Sequence, residues 1–184
     1  MRLLICLGLL SLTALAACNP TFNWREVRVA DTRLAVLLPC KPDTAVRPVE
    51  LGTKLGTAHV DLHLQACEAG AATFAIAYMN APGDSAAPAT AAIPMPALLS
   101  TWQEASLATL HATAPQILSM RVAGALEQPF PQKVTALGQR ADGSHVESQA
   151  VYFVQGQQLF QAVILADHIN TDVAETFFSG LKLQ

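Results

Sequence analysis

The sequence carries little charge and none of the common nucleotide-binding motifs. Asp, Glu, Lys and Arg make up 14% of the 184 residues, and the formal net charge at pH 7 is −3. A mildly acidic chain lacks the basic field that holds a phosphate backbone, which argues against nucleic acid as a partner. Neither a P-loop nor a G-x-G-x-x-G turn occurs, so no nucleotide site is indicated.

Long apolar runs are also scarce, and the one that is present lies at the start. It extends from Leu3 to Ala17, directly after Met1-Arg2. Its length of about 15 residues falls short of the roughly 20 that a bilayer-spanning helix needs. A short basic start, a brief apolar region and small residues at the end are typical of a secretory signal peptide. We therefore expect a soluble domain after it.

The end of this run, Leu15-Ala16-Ala17-Cys18, resembles the lipobox of bacterial lipoproteins. The resemblance implies cleavage before Cys18, which would carry a diacylglyceryl group and an N-acyl chain and so be held stably at a membrane. Asn19 follows, where an Asp favours inner-membrane retention in enteric bacteria, so we expect the outer membrane, on its periplasmic face. An ordinary secretory signal or an uncleaved anchor is the alternative.

These features divide the chain into three parts. We expect a signal peptide at residues 1–17, a lipidated cysteine with a short tether at residues 18–23, and a single α+β domain at residues 24–184. A chain of this length can bury a substantial core in one domain.

Few cysteines remain in the mature chain. Cys6 leaves with the signal peptide and Cys18 is lipidated, so Cys40 and Cys67 are left in an oxidising compartment, and we predict a disulfide between them. Two buried thiols or half of a metal site are the alternatives. Neither cysteine belongs to a C-x-x-C pair, which argues against redox catalysis.

The remaining pattern is rich in strands. Alternating or continuous apolar stretches predict strands at 33–38, 46–51, 57–66, 73–79, 134–139, 146–154 and 158–166. A Pro- and Ala-rich loop at 81–96 precedes a helix predicted at 97–113. A second helix is expected to end at Ser179, with Gly180 as the C′ residue that ends it, before a short strand at 181–184. The almost unbroken apolar run Leu159–Leu165 predicts a central strand.

This order predicts an α+β fold with a largely antiparallel sheet and two main helices. Two segments, Leu34–Pro39 and Ala174–Leu183, resemble those of PsbP-like domains and of uncharacterised proteobacterial lipoproteins with the same layout. The resemblance implies an α-β-α sandwich. It implies little about activity, because one fold hosts many functions.

The most suggestive polar pattern is His59-x-Asp61-x-His63, whose side chains share one face of a strand. Two imidazoles and a carboxylate can bind zinc or copper, with His145 or His168 as a further ligand. A solvent-facing polar row is the alternative. We expect no other metal or cofactor.

Gly83-Asp84-Ser85 resembles the nucleophile block of GDS-type hydrolases, which also need an Asp-x-x-His motif. Here Asp167 and His168 are adjacent, so hydrolysis is not expected. Five aromatic residues could form the core or line a ligand pocket. They are Trp102, Phe153, Phe160, Phe177 and Phe178.

The sequence thus predicts a non-enzymatic lipoprotein of the cell envelope. We expect it to bind an unknown envelope protein as an accessory module. The alternative is a lipoprotein that binds a metal through His59, Asp61 and His63, or a small ligand in an apolar pocket.

Overall fold

The computed structural model describes residues 21–53, 56–82 and 93–184. The lipidation site Cys18 and the Gly83-Asp84-Ser85 segment lie outside these residues. In chain order the elements are β1 (Arg25–Arg28), β2 (Leu34–Leu38), β3 (Asp43–Thr53), β4 (Gly56–Ala69), β5 (Ala72–Asn80), α1 (Met95–Thr109), β6 (Thr113–Ser119), β7 (Gln132–Gln139), β8 (His145–Gln155), β9 (Gln158–Ala166), α2 (Thr171–Ser179) and β10 (Lys182–Leu183). None of the helices among the described residues is long and apolar enough to cross a membrane.

The strands form an antiparallel seven-stranded sheet, ordered β3-β4-β5-β9-β8-β7-β6, and a three-stranded sheet, ordered β1-β2-β10. The predicted α+β class is therefore confirmed. As predicted, β9 is the central strand of the large sheet, because only a position with neighbours on both sides buries so continuous an apolar run. Turns at Gly143 and Gly156, both with positive φ, connect β7 to β8 and β8 to β9.

One face of the large sheet packs against the small sheet and α2. This first core holds the buried side chains Leu34, Val36 and Leu38 of β2. It also holds most of the aromatic residues: Phe153 stacks on Phe160 at 5.0 Å between ring centroids, and Phe177 meets Phe74 edge-on at 5.5 Å. Phe22 already packs against this core, stacking on Trp24. The domain is therefore ordered from within a few residues of Cys18.

The other face of the large sheet is covered by α1. Leu98, Leu99 and Trp102 from the first half of this helix are buried there, in a second core that includes Met79 and Leu159. The large sheet thus lies between α1 on one face and α2 with the small sheet on the other.

The helix predicted at 97–113 begins and ends earlier than expected. α1 spans Met95–Thr109 with Pro94 as its N-cap. Pro96 lies in the first turn, where a proline is tolerated because its missing N–H is not needed. After the helix, His111 and Ala114 adopt positive φ and reverse the chain. The chain then forms β6 against β7, a strand that the sequence did not predict. Pairing with the open edge of β7 outweighs the local helical pattern.

Gly180 ends α2, as expected. Its φ is −75°, so it does not adopt the left-handed conformation that glycine often takes at such positions. A side chain is excluded for a different reason, since a Cβ there would lie 2.6 Å from Leu37 Cβ. Gly180 allows the end of α2 to approach β2 closely.

The predicted disulfide is confirmed. Cys40, just after β2, is bonded to Cys67 of β4, with the two Cα atoms 5.9 Å apart. The bond links the small sheet to the large one, and Cys67 is buried in the first core.

Candidate functional site

A groove of about 410 Å³ lies between the second half of α1 and the large sheet, and we call it the α1 groove. Its apolar walls come from β3, β4, β7, β8, β9 and the helix. The apolar residues that line it are Val49, Leu51, Leu62, Trp102, Ala105, Leu107, Leu110, Val134, Ala150, Val163 and Leu165.

Side-chain size explains why the groove forms there. In the first half of α1, Leu98, Leu99 and Trp102 fill the space above the sheet. One turn later the helix presents Ala105 and Ser106, and the strand below presents Ala150. Large side chains hold the helix away from the sheet, and small ones cannot fill the gap that follows.

Three uncharged polar side chains meet inside the groove, and we call them the polar floor: Ser106, Tyr152 and Gln161. Gln161 Nε2 donates to Tyr152 Oη at 2.7 Å and to Ser106 Oγ at 3.2 Å. Ser106 in turn donates to the Trp102 carbonyl oxygen at 2.9 Å. A helix and two strands each contribute one of these residues.

The polar floor stays neutral at physiological pH. Burial raises the pKa of the Tyr152 hydroxyl above its ordinary value of 10.0, and hydrogen bonds from Ser106 and Gln161 oppose this only in part. None of the described residues that line the groove is a Lys, Arg or His. Glu50 is the one carboxylate among them. Its side chain is solvent-exposed, and its Oε1 lies 3.1 Å from His59 Nδ1.

The His59-Asp61-His63 row lies on β4, on the opposite parity from the groove residue Leu62. His59 pairs with Glu50, Asp61 is exposed, and the His63 ring stacks on Tyr78 at 4.5 Å. Within the described ranges, no three His, Cys, Asp or Glu side chains are placed to bind one metal ion.

The two further histidines considered as ligands are not near this row. His145 begins β8 and His168 follows β9, whereas β5 and β9 separate β4 from β8 in the sheet. His168 Nδ1 lies 3.2 Å from Glu147 Oε1, and the neighbouring Asp167 pairs instead with Arg140 at 2.7 Å. Asp167 and His168 therefore have different partners and do not form a catalytic pair.

Of the five aromatic residues considered, four lie in the first core and only Trp102 borders the groove. The sequence analysis missed the polar floor. One signal was present, because Gln161 interrupts the apolar run predicted as a central strand, where a polar side chain needs a partner.

A second exposed feature lies at the edge of the large sheet. All seven residues of β6 are exposed, and the strand contains no charged residue. Ile117 and Leu118 are 51% and 63% exposed, and Leu137 on β7 is 52% exposed.

Comparisons with known proteins show similarity to a distant solved structure. No known family and no curated protein matches the chain. Among solved structures it is similar to PA94 of Pseudomonas aeruginosa, a protein of unknown function, at 11% sequence identity and a TM-score of 0.36. The match covers 78% of this chain and 82% of that one.

Proposed function

We propose that this chain is a non-enzymatic lipoprotein of the bacterial cell envelope whose α1 groove binds an elongated apolar small molecule. The observation that supports this is the groove itself. Its volume of about 410 Å³ lies within the range of ligand pockets, roughly 300–1,000 Å³. Such pockets combine a mostly apolar lining with a few convergent polar groups, as this one does.

The energetics suit a flexible aliphatic ligand. Each methylene moved from water into the groove contributes about 0.8 kcal/mol. Part of that gain is offset by ordering the ligand, so binding should be moderate and reversible. This favours a carrier or sensor of a lipid-like molecule over permanent storage of one.

The groove also lacks the pairing that activates a nucleophile. Ser106 donates its hydrogen to a backbone carbonyl and accepts from an amide, and neither of these groups can take a proton from it. This supports a binding role rather than hydrolysis for the described part of the chain.

The proposed anchor holds the domain close to a membrane. Cys18 would be lipidated in the outer membrane, facing the periplasm, and Phe22 already packs against the first core. Four residues span at most about 14 Å. The domain would thus stay within reach of the bilayer, with the groove on the sheet face opposite Phe22. Intact mass from membranes tests the anchor: the protein should carry lipid, and Cys18→Ala should not.

The PsbP-like relationship of the fold also remains a proposal. The sheet between α1 and α2 is the layer order that such a sandwich requires. It adds no ligand to the argument, because the fold alone does not specify function.

Photolabelling tests the groove directly. The full lipidated protein is placed in nanodiscs with an aliphatic diazirine, and labelled peptides are mapped by mass spectrometry. We expect labels on α1, β8 and β9. Ala105→Trp, at the groove, should reduce them about tenfold, corresponding to 1.4 kcal/mol. Ala108→Trp is the matched control, since Ala108 is exposed on α1 outside the groove. Equal loss in both variants, or labels elsewhere, would refute groove binding.

A second candidate function, partner binding, is favoured by the β6 edge. Natural edge strands are blunted by lysines, prolines and bulges. In β6, Pro115 and a register shift occupy the first half, whereas the second half carries no lysine and exposes Leu118. An extended segment of an envelope protein could add to this edge as a further strand.

A lysine on the exposed edge tests this candidate. A partner recovered from crosslinked envelopes should bind the purified protein, and Leu118→Lys should abolish that binding. Val46→Lys, on the opposite edge strand β3, is the control and should leave it intact. A partner that binds both variants equally does not use β6.

A further inference from the structure

We infer that the α1 groove selects an uncharged ligand, a long-chain alcohol or carbonyl compound, whose oxygen sits at the polar floor of Ser106, Tyr152 and Gln161. The inference rests on the proposed groove binding and specifies the chemical class of the ligand. It follows from the hydrogen-bonding capacity of the floor, the charges around it and the direction of the apolar walls.

The polar floor offers both donors and acceptors. Among the described residues, Tyr152 Oη accepts a hydrogen bond from Gln161 Nε2. Its own hydrogen can turn towards Ser106 or into the groove. A carboxamide also carries an acceptor oxygen besides its two N–H donors. A ligand hydroxyl matches such a set as donor and acceptor, and a ligand carbonyl oxygen can accept from the Tyr152 hydroxyl.

The charges exclude an ionised head group. A carboxylate entering the groove would lose its hydration, and no cation among the described lining residues would compensate it. An ammonium group would also lack a counter-ion in the groove, because the Glu50 carboxylate pairs with His59 on the opposite face of the sheet. Three neutral groups cannot replace the hydration of a full charge.

The arrangement of strands sets the direction of the ligand. Tyr152 and Gln161 lie on β8 and β9, whereas Leu62 and Leu51 line the groove from β4 and β3. Three interstrand spacings separate β9 from β3, about 14 Å at 4.7–4.9 Å each. The oxygen therefore lies at the floor, and the aliphatic tail runs under α1 towards β3.

The experiment compares head groups on one tail. Three decyl diazirine probes, ending in a hydroxyl, a carboxylate or a methyl group, are applied to the full lipidated protein in nanodiscs. We expect the hydroxyl probe to label the groove at about tenfold lower concentration than the carboxylate probe, a difference of 1.4 kcal/mol. The methyl probe should lie between them.

Substitution of the floor should remove this preference without removing binding. Gln161→Met keeps the length of the side chain but loses the amide, so the hydroxyl and methyl probes should label equally. Tyr152→Phe keeps the ring that meets Trp102 edge-on at 6.0 Å and serves as a second variant if the first does not fold. Gln149→Met is the matched control, because Gln149 pairs with Ile164 of the first core, on the opposite face.

The outcomes separate this inference from the proposed function. If no probe labels the groove, groove binding itself is wrong. If all three probes label the groove, two results would show that this inference is wrong. In one, the carboxylate probe labels at the same concentration as the hydroxyl probe; in the other, Gln161→Met keeps the preference for the hydroxyl probe. Either result would mean that the groove binds apolar molecules without selecting a neutral oxygen.

Discussion

Gln161 shows how one side chain changes the character of a central strand. Its neighbours in β9 are almost all apolar, yet its amide contacts a helix residue and a residue of the next strand. A buried amide without partners would cost about 1–3 kcal/mol, so the pairing with Tyr152 and Ser106 makes the position tolerable. The same pairing places a neutral polar group where a ligand can reach it.

Glu147 illustrates a second polar position, with a testable pH dependence. Its carboxylate accepts the Ile169 backbone N–H at 2.8 Å and lies beside His168. The Ile169 hydrogen bond, followed by the one from His168, lowers the pKa of Glu147 below its ordinary value. The ionised form therefore stabilises the fold above the unfolded-state pKa, and this stabilisation is lost as the pH falls through the lowered folded-state value.

We predict that Glu147→Gln lowers the free energy of unfolding by about 1 kcal/mol at pH 7, as expected for one charged hydrogen bond at a partly exposed site. The difference should shrink once the pH falls below about 4, where the glutamate becomes protonated in the unfolded chain. Urea titrations at pH 7 and at pH 3 measure it. Glu175→Gln, at an exposed position of α2, is the control. A difference that is equal at both pH values would contradict the assignment.

β6 lies at an edge of the large sheet, whereas β9 lies at its centre. β9 is paired on both sides and most of its side chains are buried, whereas β6 is paired only with β7 and every residue is exposed. Its pairing is also irregular, with a register shift between Thr113 and Gln116. Local opening needs little energy where few buried contacts must break.

Amide hydrogen exchange should reflect this contrast. We predict that β6 amides exchange much faster than those of β9, and that β3, the other edge, also exchanges faster than β9. Exchange monitored by mass spectrometry on the full chain resolves these peptides. Comparable protection of β6 and β9 would show that β6 is covered, as a bound partner strand at this edge would require.

The disulfide is the covalent link between the two sheets. Cys40 and Cys67 are 27 residues apart in sequence. On the chain-entropy estimate, a loop of this size contributes about 3–4 kcal/mol to stability.

We therefore predict that the Cys40→Ser, Cys67→Ser double variant loses about 3–4 kcal/mol of unfolding free energy. Chemical denaturation of oxidised wild type, reduced wild type and the double variant makes the comparison. Reduced wild type is the control, because it lacks the bond but keeps both sulfur atoms. If reduction has no effect on stability, the loop-entropy account is wrong for this bond.

The amino-acid pattern alone determined the fold class, the disulfide pair and the central position of β9. Each depends on local periodicity or on a count of cysteines, which can be read without knowing the packing. The export signal and the lipidation of Cys18 stay predictions. The His59-Asp61-His63 row could be placed on one strand face, but its partners could not.

Only the tertiary structure decided where β6 lies, why Gly180 is small and where the groove forms. The segment at 113–119 becomes a strand because the edge of β7 is open, and Gly180 is small because Leu37 is near. The polar floor joins residues up to 55 positions apart in sequence. No local pattern encodes such a meeting, since it depends on how α1 is held above the sheet by the larger side chains one turn earlier.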